Sequence, residues 1–406
     1  MSETHVIDRL GHLGDGIAPG PVFAPRCLPG EVVTGEVEEG RITAPRIVTP
    51  SADRVKAPCP HYNACGGCAL LHASDPFVAD WKVDVVRTAL AAHSLSPEFR
   101  SIATSPPRSR RRAVLSARRG KKGAIVGFHG RRSDTITEIS QCHLLHPDIL
   151  AALPNLGALA TLGASRKGEL SINVVHSVAG LDVSVTEGKP LDRRLETDLA
   201  QALNKFGFAR LTWNGEIIAT ETPPEQMFGV AAVVPPPGAF LQATREGEAA
   251  LLDAVREIVG KAGSVIDLFA GCGTFALPLA QSAEVHAVEG LAAMTDALSL
   301  GWRKAQGLHR VTTETRDLFR NPLMADDLAR FDAAVIDPPR AGAEAQVAAL
   351  AASGIKRIAM VSCNAQTFAR DAKTLVDAGY ELNWVQVVDQ FRWSTHTEQV
   401  ASFSRG

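Results

Sequence analysis

The stretch "SVIDLFAGCGTFALPLA", residues 264–280, decides the fold. An apolar run carrying Asp267 gives way to a turn with Gly271 and Gly273, then to an apolar helical segment. Glycines between a strand and a helix let backbone approach a ligand closely and aim helix N–H groups at it. Further strand runs follow: "EVHAVE" (284–289), "VTTET" (311–315), "AAVIDPP" (333–339) and "RIAMVSC" (357–363), with helical segments between most of them. A helix over Gln242–Val259 leads in. Strands alternating with helices imply βαβ units and a parallel sheet covered on both faces. The last runs, "YELNWVQVVDQF" (380–391) and "EQVASFSR" (398–405), follow closely enough to pair antiparallel at the sheet's end. The fold class is α/β, a Rossmann-like domain with a mostly parallel sheet.

An open parallel sheet places its chemistry at the carboxyl ends of its strands. Glu289 ends the second run about 20 residues after the glycine turn, where a carboxylate can hold ribose hydroxyls. The turn has too few glycines for a dinucleotide fingerprint, and the chain has no Walker lysine. A nucleoside without phosphates fits better, which means S-adenosylmethionine, and Asp317 in "TRDLF" could reach its adenine. The plainer alternative is a glycine turn that is only structural.

Two more strand ends carry reactive groups. "IDPPRAG" (336–342) presents Asp337 and Arg340, and "VSCNAQ" (361–366) presents Cys363. A cysteine ending a strand is more often inert core than nucleophile. This one shares a rim with the cofactor turn and is followed by polar Asn364. Methylation of oxygen or nitrogen has no use for it, but carbon 5 of a pyrimidine does. A thiolate adding to carbon 6 makes carbon 5 enolate-like, and a base must later remove the carbon 5 proton. Glu398 in "STHTEQV" (394–400) is the candidate base, against the alternative of a surface carboxylate. Phe240 could stack on an extruded ring.

At 406 residues the chain is long enough for two or three domains. No apolar run could span a bilayer, and the N-terminus lacks a signal-peptide core, so a cytoplasmic protein without membrane contact is expected. That compartment keeps thiols reduced, so the seven cysteines do not form a disulfide framework. "CPHYNACGGC" places Cys59, Cys65 and Cys68 in ten residues, and on spacing alone zinc and iron–sulfur stand equal. Zinc could recruit His61 or His72. Cys27 and Cys272 read as packing residues. The net charge of -2 hides a run from Arg108 to Arg132 with ten Lys or Arg and no acid, a footprint for phosphates rather than a solvated loop.

Four stretches organise the chain. Residues 1–55 hold short β-type runs (His5–Ile7, Val22–Ala24, Glu31–Val37, Arg46–Val48) that suit a small antiparallel barrel. Residues 56–98 hold the cysteines and a helix near Phe77–Ala91. Residues 99–238 form an α+β domain with a helix near Leu191–Lys205, and "PPPG" (235–238) is a hinge. Residues 239–406 are the Rossmann-like domain.

The sequence resembles the RNA uracil-5 methyltransferases, which make 5-methyluridine in bacterial tRNA and ribosomal RNA. "FLQAT", "DLFAGCGTFALPLA", "AVEG", "RDLF", "IDPPRAG", "VSCN" and "HTE" match that family's catalytic motifs in order. "CPHYNACGGC" with "QCHLLHP" is similar to its iron–sulfur signature, and "GHLGDGIA" with "LPGEVV" to its TRAM barrel. The resemblance implies a seven-stranded class I methyltransferase domain, with Cys363 as nucleophile and Glu398 as base. It implies Gln242, Phe269, Gly271, Gly273, Thr274, Glu289, Asp317 and Asp337 around S-adenosylmethionine. It makes Cys142 the fourth ligand of a structural [4Fe–4S] cluster beside Cys59, Cys65 and Cys68, which pins the basic segment against RNA. Three positions depart from the family pattern, Thr274, Ala365 and Thr397.

The expected partner is RNA bound by a monomer, ribosomal RNA ahead of tRNA, because barrel and cluster are absent from tRNA-specific bacterial members. The competing enzyme readings are a tRNA uridine-5 and an RNA cytosine-5 methyltransferase. Against the latter, this chain has Pro338–Pro339–Arg340 where a Pro-Cys would stand. The reading of another class is a non-catalytic RNA-binding or assembly factor, which the intact Cys363 and Glu398 oppose.

Overall fold

The computed structural model describes residues 3–121 and 123–406, so Lys122 of the basic run lies outside the described residues. Its largest sheet carries the glycine turn. From one edge the strands run Val311–Thr315, Glu284–Glu289, Ser264–Leu268, Ala333–Ile336, Arg357–Ser362, Gln399–Ser404 and Glu381–Asp389. The first five are mutually parallel, and Gln399–Ser404 runs antiparallel to both neighbours. Chain order reverses at Ser264–Leu268, which opens a crevice above its carboxyl end.

Nine strands build this sheet rather than the expected seven. Glu98–Phe99 and Ala103–Thr104 pair in parallel with Glu381–Asp389 and extend that edge. Two-residue strands are too short to show an alternation. The helix Asp75–Ala91 joins the same body, burying Val86, Ala89 and Leu90 in the core that includes Phe368, Leu375 and Val385. Residues 226–233 form a hairpin whose Phe228, Ala231 and Val233 enter the core on the sheet's other face. Parts of 56–98 and 99–238 therefore pack with the large sheet, because their apolar faces find its cover there.

A second sheet of seven strands runs from Ile136–Glu138 through Gly123–His129, Arg112–Gly120, Glu169–Ser177, Gly180–Thr186 and Phe208–Trp213 to Glu216–Thr220. The helices Leu153–Gly163 and Arg193–Phe206 share its core. Near the N-terminus, sheets of three and five short strands enclose Ile7, Ala18, Ala24, Cys27, Val33 and Ile42. Asp15–Ala18, Arg41–Ile42 and other short strands there lie outside the runs named from sequence. Asp15, 2% exposed, is paired with Arg41 (2.9 Å), Arg131 (2.8 Å) and Arg132 (3.4 Å), fastening this unit to the second sheet's hairpin.

The helix expected from Gln242 begins at Arg245, because the Thr244 hydroxyl accepts from the Gly247 N–H and caps it. Gln242 is thereby left in extended chain facing the crevice. Among the described residues no helix is long and apolar enough to cross a membrane.

Candidate active site

The glycine turn keeps its backbone close to the sheet. Gly271 and Gly273 sit at φ 56° and 97°, and a Cβ on Gly273 would meet Leu277 and Leu298 at 2.9 Å. Phe269 is held at φ 63°, a conformation unfavourable for a bulky residue and a mark of a functional turn. The helix that follows is only Ala276–Leu279, shorter than the sequence suggests, since Pro278 has no N–H to donate.

Glu289 is fixed by two backbone amides, Gly271 N–H on Oε2 and Leu291 N–H on Oε1, both at 3.0 Å. Asp317 is exposed, and its Oδ1 accepts from Phe319 N (3.0 Å) and Arg320 N (3.2 Å), forming a tight turn. That turn sets the exposed Phe319 ring 5.4 Å from Phe269. Sequence reasoning misses Phe319, although "RDLF" contains it. Thr274 is half-buried in the turn. Asp267 is wholly buried with neither oxygen partnered, and burial, then Asp337, raises its pKa well above the usual range.

The reacting groups meet through sheet register. Ser362 pairs with Gln399 across two antiparallel strands, so the next positions, Cys363 and Glu398, stand opposite each other at the rim. Glu398 is 2% exposed and accepts from Gln390 Nε2 at 3.1 Å. Gln390 Nε2 also donates to Gln242 Oε1 at 2.5 Å, and Gln242 Nε2 donates to Asp337 Oδ2 at 3.2 Å. Two carboxyls are thus joined through two amides. Burial, then Asp337, pushes Glu398 well above the carboxylate range, and burial lifts Asp337 to about 7. Burial, then the charges of Glu398 and Asp337, lifts the Cys363 thiol to about 11, with Arg340 opposing.

Gln390 has no signature in sequence, since an amide in an apolar run has no diagnostic spacing. Arg112 belongs to the run expected to form a phosphate footprint. Its guanidinium lies 4.5 Å from the ring centroid of Phe240, which is 56% exposed, and its field reaches Glu398 and Cys363. Arg340 Nη2 donates to His396 at 3.1 Å, and the Arg340 carbonyl accepts from Asn364 Nδ2 at 2.9 Å.

The basic run is not one footprint. Arg111, 3% exposed, pairs with Glu248 at 2.5 Å and donates to the Gln242 carbonyl at 3.0 Å. Arg118 pairs with Glu169 at 2.7 Å, and Arg131 and Arg132 hold Asp15. Among the described residues, Arg108, Arg119 and Lys121 remain exposed without an ion pair. Strand alternation turns every second side chain inward, which a count of charges along the sequence cannot show.

Cys59, Cys65, Cys68 and Cys142 line one cavity with Tyr62, Leu71, Phe128 and Ile139. Gly67 N–H points at Cys65 Sγ (3.3 Å) and Leu144 N–H at Cys142 Sγ (3.4 Å). No three of these sulfurs lie mutually within 4.8 Å, whereas tetrahedral zinc thiolate sites bring sulfurs to about 3.8 Å. The histidines considered for zinc are engaged elsewhere. His72 Nδ1 meets the Tyr62 hydroxyl at 2.5 Å, and His61 Nε2 meets the Ser140 hydroxyl at 3.1 Å. Cys27 and Cys272 are each 1% exposed, within apolar cores. A separate group, His146, Asp148 and His176, is explained without an ion: His146 caps a short helix and His176 Nε2 meets Asp148 at 2.8 Å.

Comparison with known proteins agrees with this geometry. Residues 236–405 match the tRNA (uracil-5-)-methyltransferase family. An uncharacterized RNA methyltransferase of Rhizobium meliloti is 44% identical, over 99% of each chain. The 23S rRNA (uracil(1939)-C(5))-methyltransferase RlmD of Halomonas elongata is 32% identical, over 97% of this chain and 88% of that protein. The Pyrococcus abyssi tRNA (uracil-54, C5)-methyltransferase, solved with S-adenosyl-L-homocysteine, shares the fold with a TM-score of 0.77 at 21% identity, over 98% and 99% of the two chains. The chain belongs to the RNA uracil-5 methyltransferase family and is an S-adenosylmethionine-dependent RNA methyltransferase.

Proposed function

We propose that the protein methylates carbon 5 of a uridine in 23S ribosomal RNA through a covalent bond from Cys363 to carbon 6, with Glu398 as base. The observation that carries this reading is the register that sets Cys363 opposite Glu398 at the crevice rim. The Cys363 thiolate adds to carbon 6, and the π pair of the carbon 5–carbon 6 bond moves onto carbon 5, shared through carbon 4 with the carbon 4 oxygen. Bound S-adenosylmethionine supplies the methyl group that carbon 5 then takes. Glu398 accepts the carbon 5 proton, the C–H pair becomes the carbon 5–carbon 6 double bond, and the thiolate leaves.

Phe269, Gly271, Gly273 and Thr274 form the cradle for the cofactor. Glu289 is assigned to the ribose, Asp317 with Phe319 to the adenine, and Gln242 with Asp337 to the reacting end. Glu289, held by the Gly271 and Leu291 amides, suits a hydroxyl-bearing ligand beside the glycine turn. Phe240, under Arg112, is placed to stack on the extruded base.

Cys59, Cys65, Cys68 and Cys142 are the ligands of a [4Fe–4S] cluster with a structural role. The shared cavity and the N–H groups aimed at two of the sulfurs support a thiolate-bound metal centre, and the likeness of the cysteine set to the family's iron–sulfur signature favours the cubane. Ribosomal RNA is favoured because the Halomonas relative is named for it, whereas the archaeal tRNA enzyme shares the fold alone. The N-terminal unit and the seven-stranded central sheet would hold the RNA around the target base.

The test is a denaturing gel with rRNA and tRNA transcripts, some carrying 5-fluorouridine. Cys363→Ala should abolish methyl transfer with cofactor binding intact, and Glu398→Gln should trap a protein–rRNA adduct. A lack of any Cys363-dependent band would overturn the covalent route, and bands with tRNA alone would move the substrate.

A further inference from the structure

Trp393 lies in the loop between the last two strands, five residues before Glu398. Its backbone sits at φ 58°, which a bulky residue holds only when its surroundings over-determine it. The surroundings are unusually specific. Its carbonyl accepts both Ala69 N–H (2.8 Å) and Leu70 N–H (2.9 Å), the two residues that follow Cys68. Its indole, 7% exposed, packs with Tyr62 and Leu71 in a small apolar cluster that Cys59 and Cys68 also contact. Its Nε1–H donates to Asp75 Oδ1 at 3.0 Å, and Arg392 holds the other oxygen of Asp75 at 2.5 Å.

The loop is clamped from a third side. Gly14 of the N-terminal unit approaches Thr395 so closely that a Cβ there would lie 2.9 Å from its methyl. Downstream, the Glu398 carbonyl accepts from Val388 N–H at 2.8 Å, and its carboxylate is held by Gln390. The chain from 391 to 398 therefore has one end at the catalytic base and its middle bound to the cysteine centre.

We infer that Trp393 is a positioning residue that ties the loop carrying Glu398 to the cysteine centre, so that this packing sets the base for removal of the carbon 5 proton. The inference rests on Glu398 acting as the base. Cys363 stands on a different strand end, and the loop reaches its neighbourhood through His396 and Arg340 rather than through Trp393, so attack on carbon 6 should not depend on the indole. A base displaced by about 1 Å can lose on the order of 10²-fold in rate.

The experiment compares Trp393→Gly, which keeps the positive φ and removes the indole, with Trp393→Phe, which keeps most of the packing. With 5-fluorouridine RNA, which has no carbon 5 proton to remove, both should form the Cys363 adduct as fast as the unsubstituted protein. With uridine RNA, Trp393→Gly should turn over on the order of 10²-fold more slowly and accumulate methylated adduct, with Trp393→Phe nearer normal. Iron content and cofactor affinity are measured on the same samples. Unchanged turnover, or adduct formation falling in parallel with turnover, would overturn the inference. If Trp393→Gly does not fold, Trp393→Ala, which also removes the indole, decides alone: accumulation of its methylated adduct supports the inference and turnover at the unsubstituted rate overturns it. Absence of any adduct from the unsubstituted protein would instead strike at the covalent mechanism.

Discussion

Glu398 and Asp337 set the acidity of the site. Burial, then the neighbouring Asp337, raises Glu398, and burial raises Asp337 to about 7. A raised carboxyl holds its proton to higher pH, and a base must be ionised. The uridine turnover rate should therefore fall as pH drops through a limb well above the ordinary carboxylate range. Asp337→Asn removes the negative neighbour and should move that limb to lower pH. A limb near pH 4 to 5 in the unsubstituted protein, read from the kcat profile at roughly the free-carboxylate value, would contradict the buried arrangement. Cys363 is singled out in sequence because it ends a strand of a parallel sheet, where chemistry sits, whereas Glu398 stands only in the turn before the last strand, a position that a surface carboxylate could equally fill. Gln390 and Arg112 are not singled out. One is an uncharged amide whose role exists only through Gln242 and Glu398. The other stands in a run of arginines whose members the fold sends in different directions.

The strand Arg112–Gly120 shows the same lesson for an element. Ala113, Leu115 and Ala117 face the core while Arg118 and Arg119 stay exposed, so charge density along the chain overstates the charge on any one surface. Arg111, just before this strand, is an internal partner of Glu248. Arg111→Ala should destabilise the protein by about 3–5 kcal/mol, the cost of leaving a buried charge unpaired, without altering the salt slope of RNA binding. Combined neutralisation of Arg119 and Lys121 should do the reverse, lowering the slope by roughly 0.7 to 0.9 for each phosphate no longer neutralised. Salt titrations and thermal melts of both variants separate the two roles, and an unchanged slope for the second would make the hairpin a bystander. The alternation of strands and helices is readable because long periodic runs dominate it. The two-residue strands at 98–99 and 103–104 and the packing of Asp75–Ala91 on the large sheet depend on tertiary partners that no local pattern announces.

At the scale of the whole molecule, four cysteines from two distant parts of the chain line one cavity. Protein purified without oxygen should be brown and contain iron and sulfide. Cys142→Ser should lose that colour and melt at lower temperature, because a group bound only by the folded state adds its binding energy to folding. Stoichiometric zinc without iron would refute the cubane assignment. Asp15 carries the last consequence. A carboxylate shut away from water and shared by three arginines is costly to strip of its partners, so the N-terminal unit is bolted to the central hairpin and does not swing on a linker. Arg131 and Arg132, on that buried carboxylate, hold the unit in one place against the hairpin. If that unit grips the RNA as proposed, an RNA that reaches both it and Cys363 must bring its own pliability, and a stiff duplex should bind more weakly than a single strand of the same sequence.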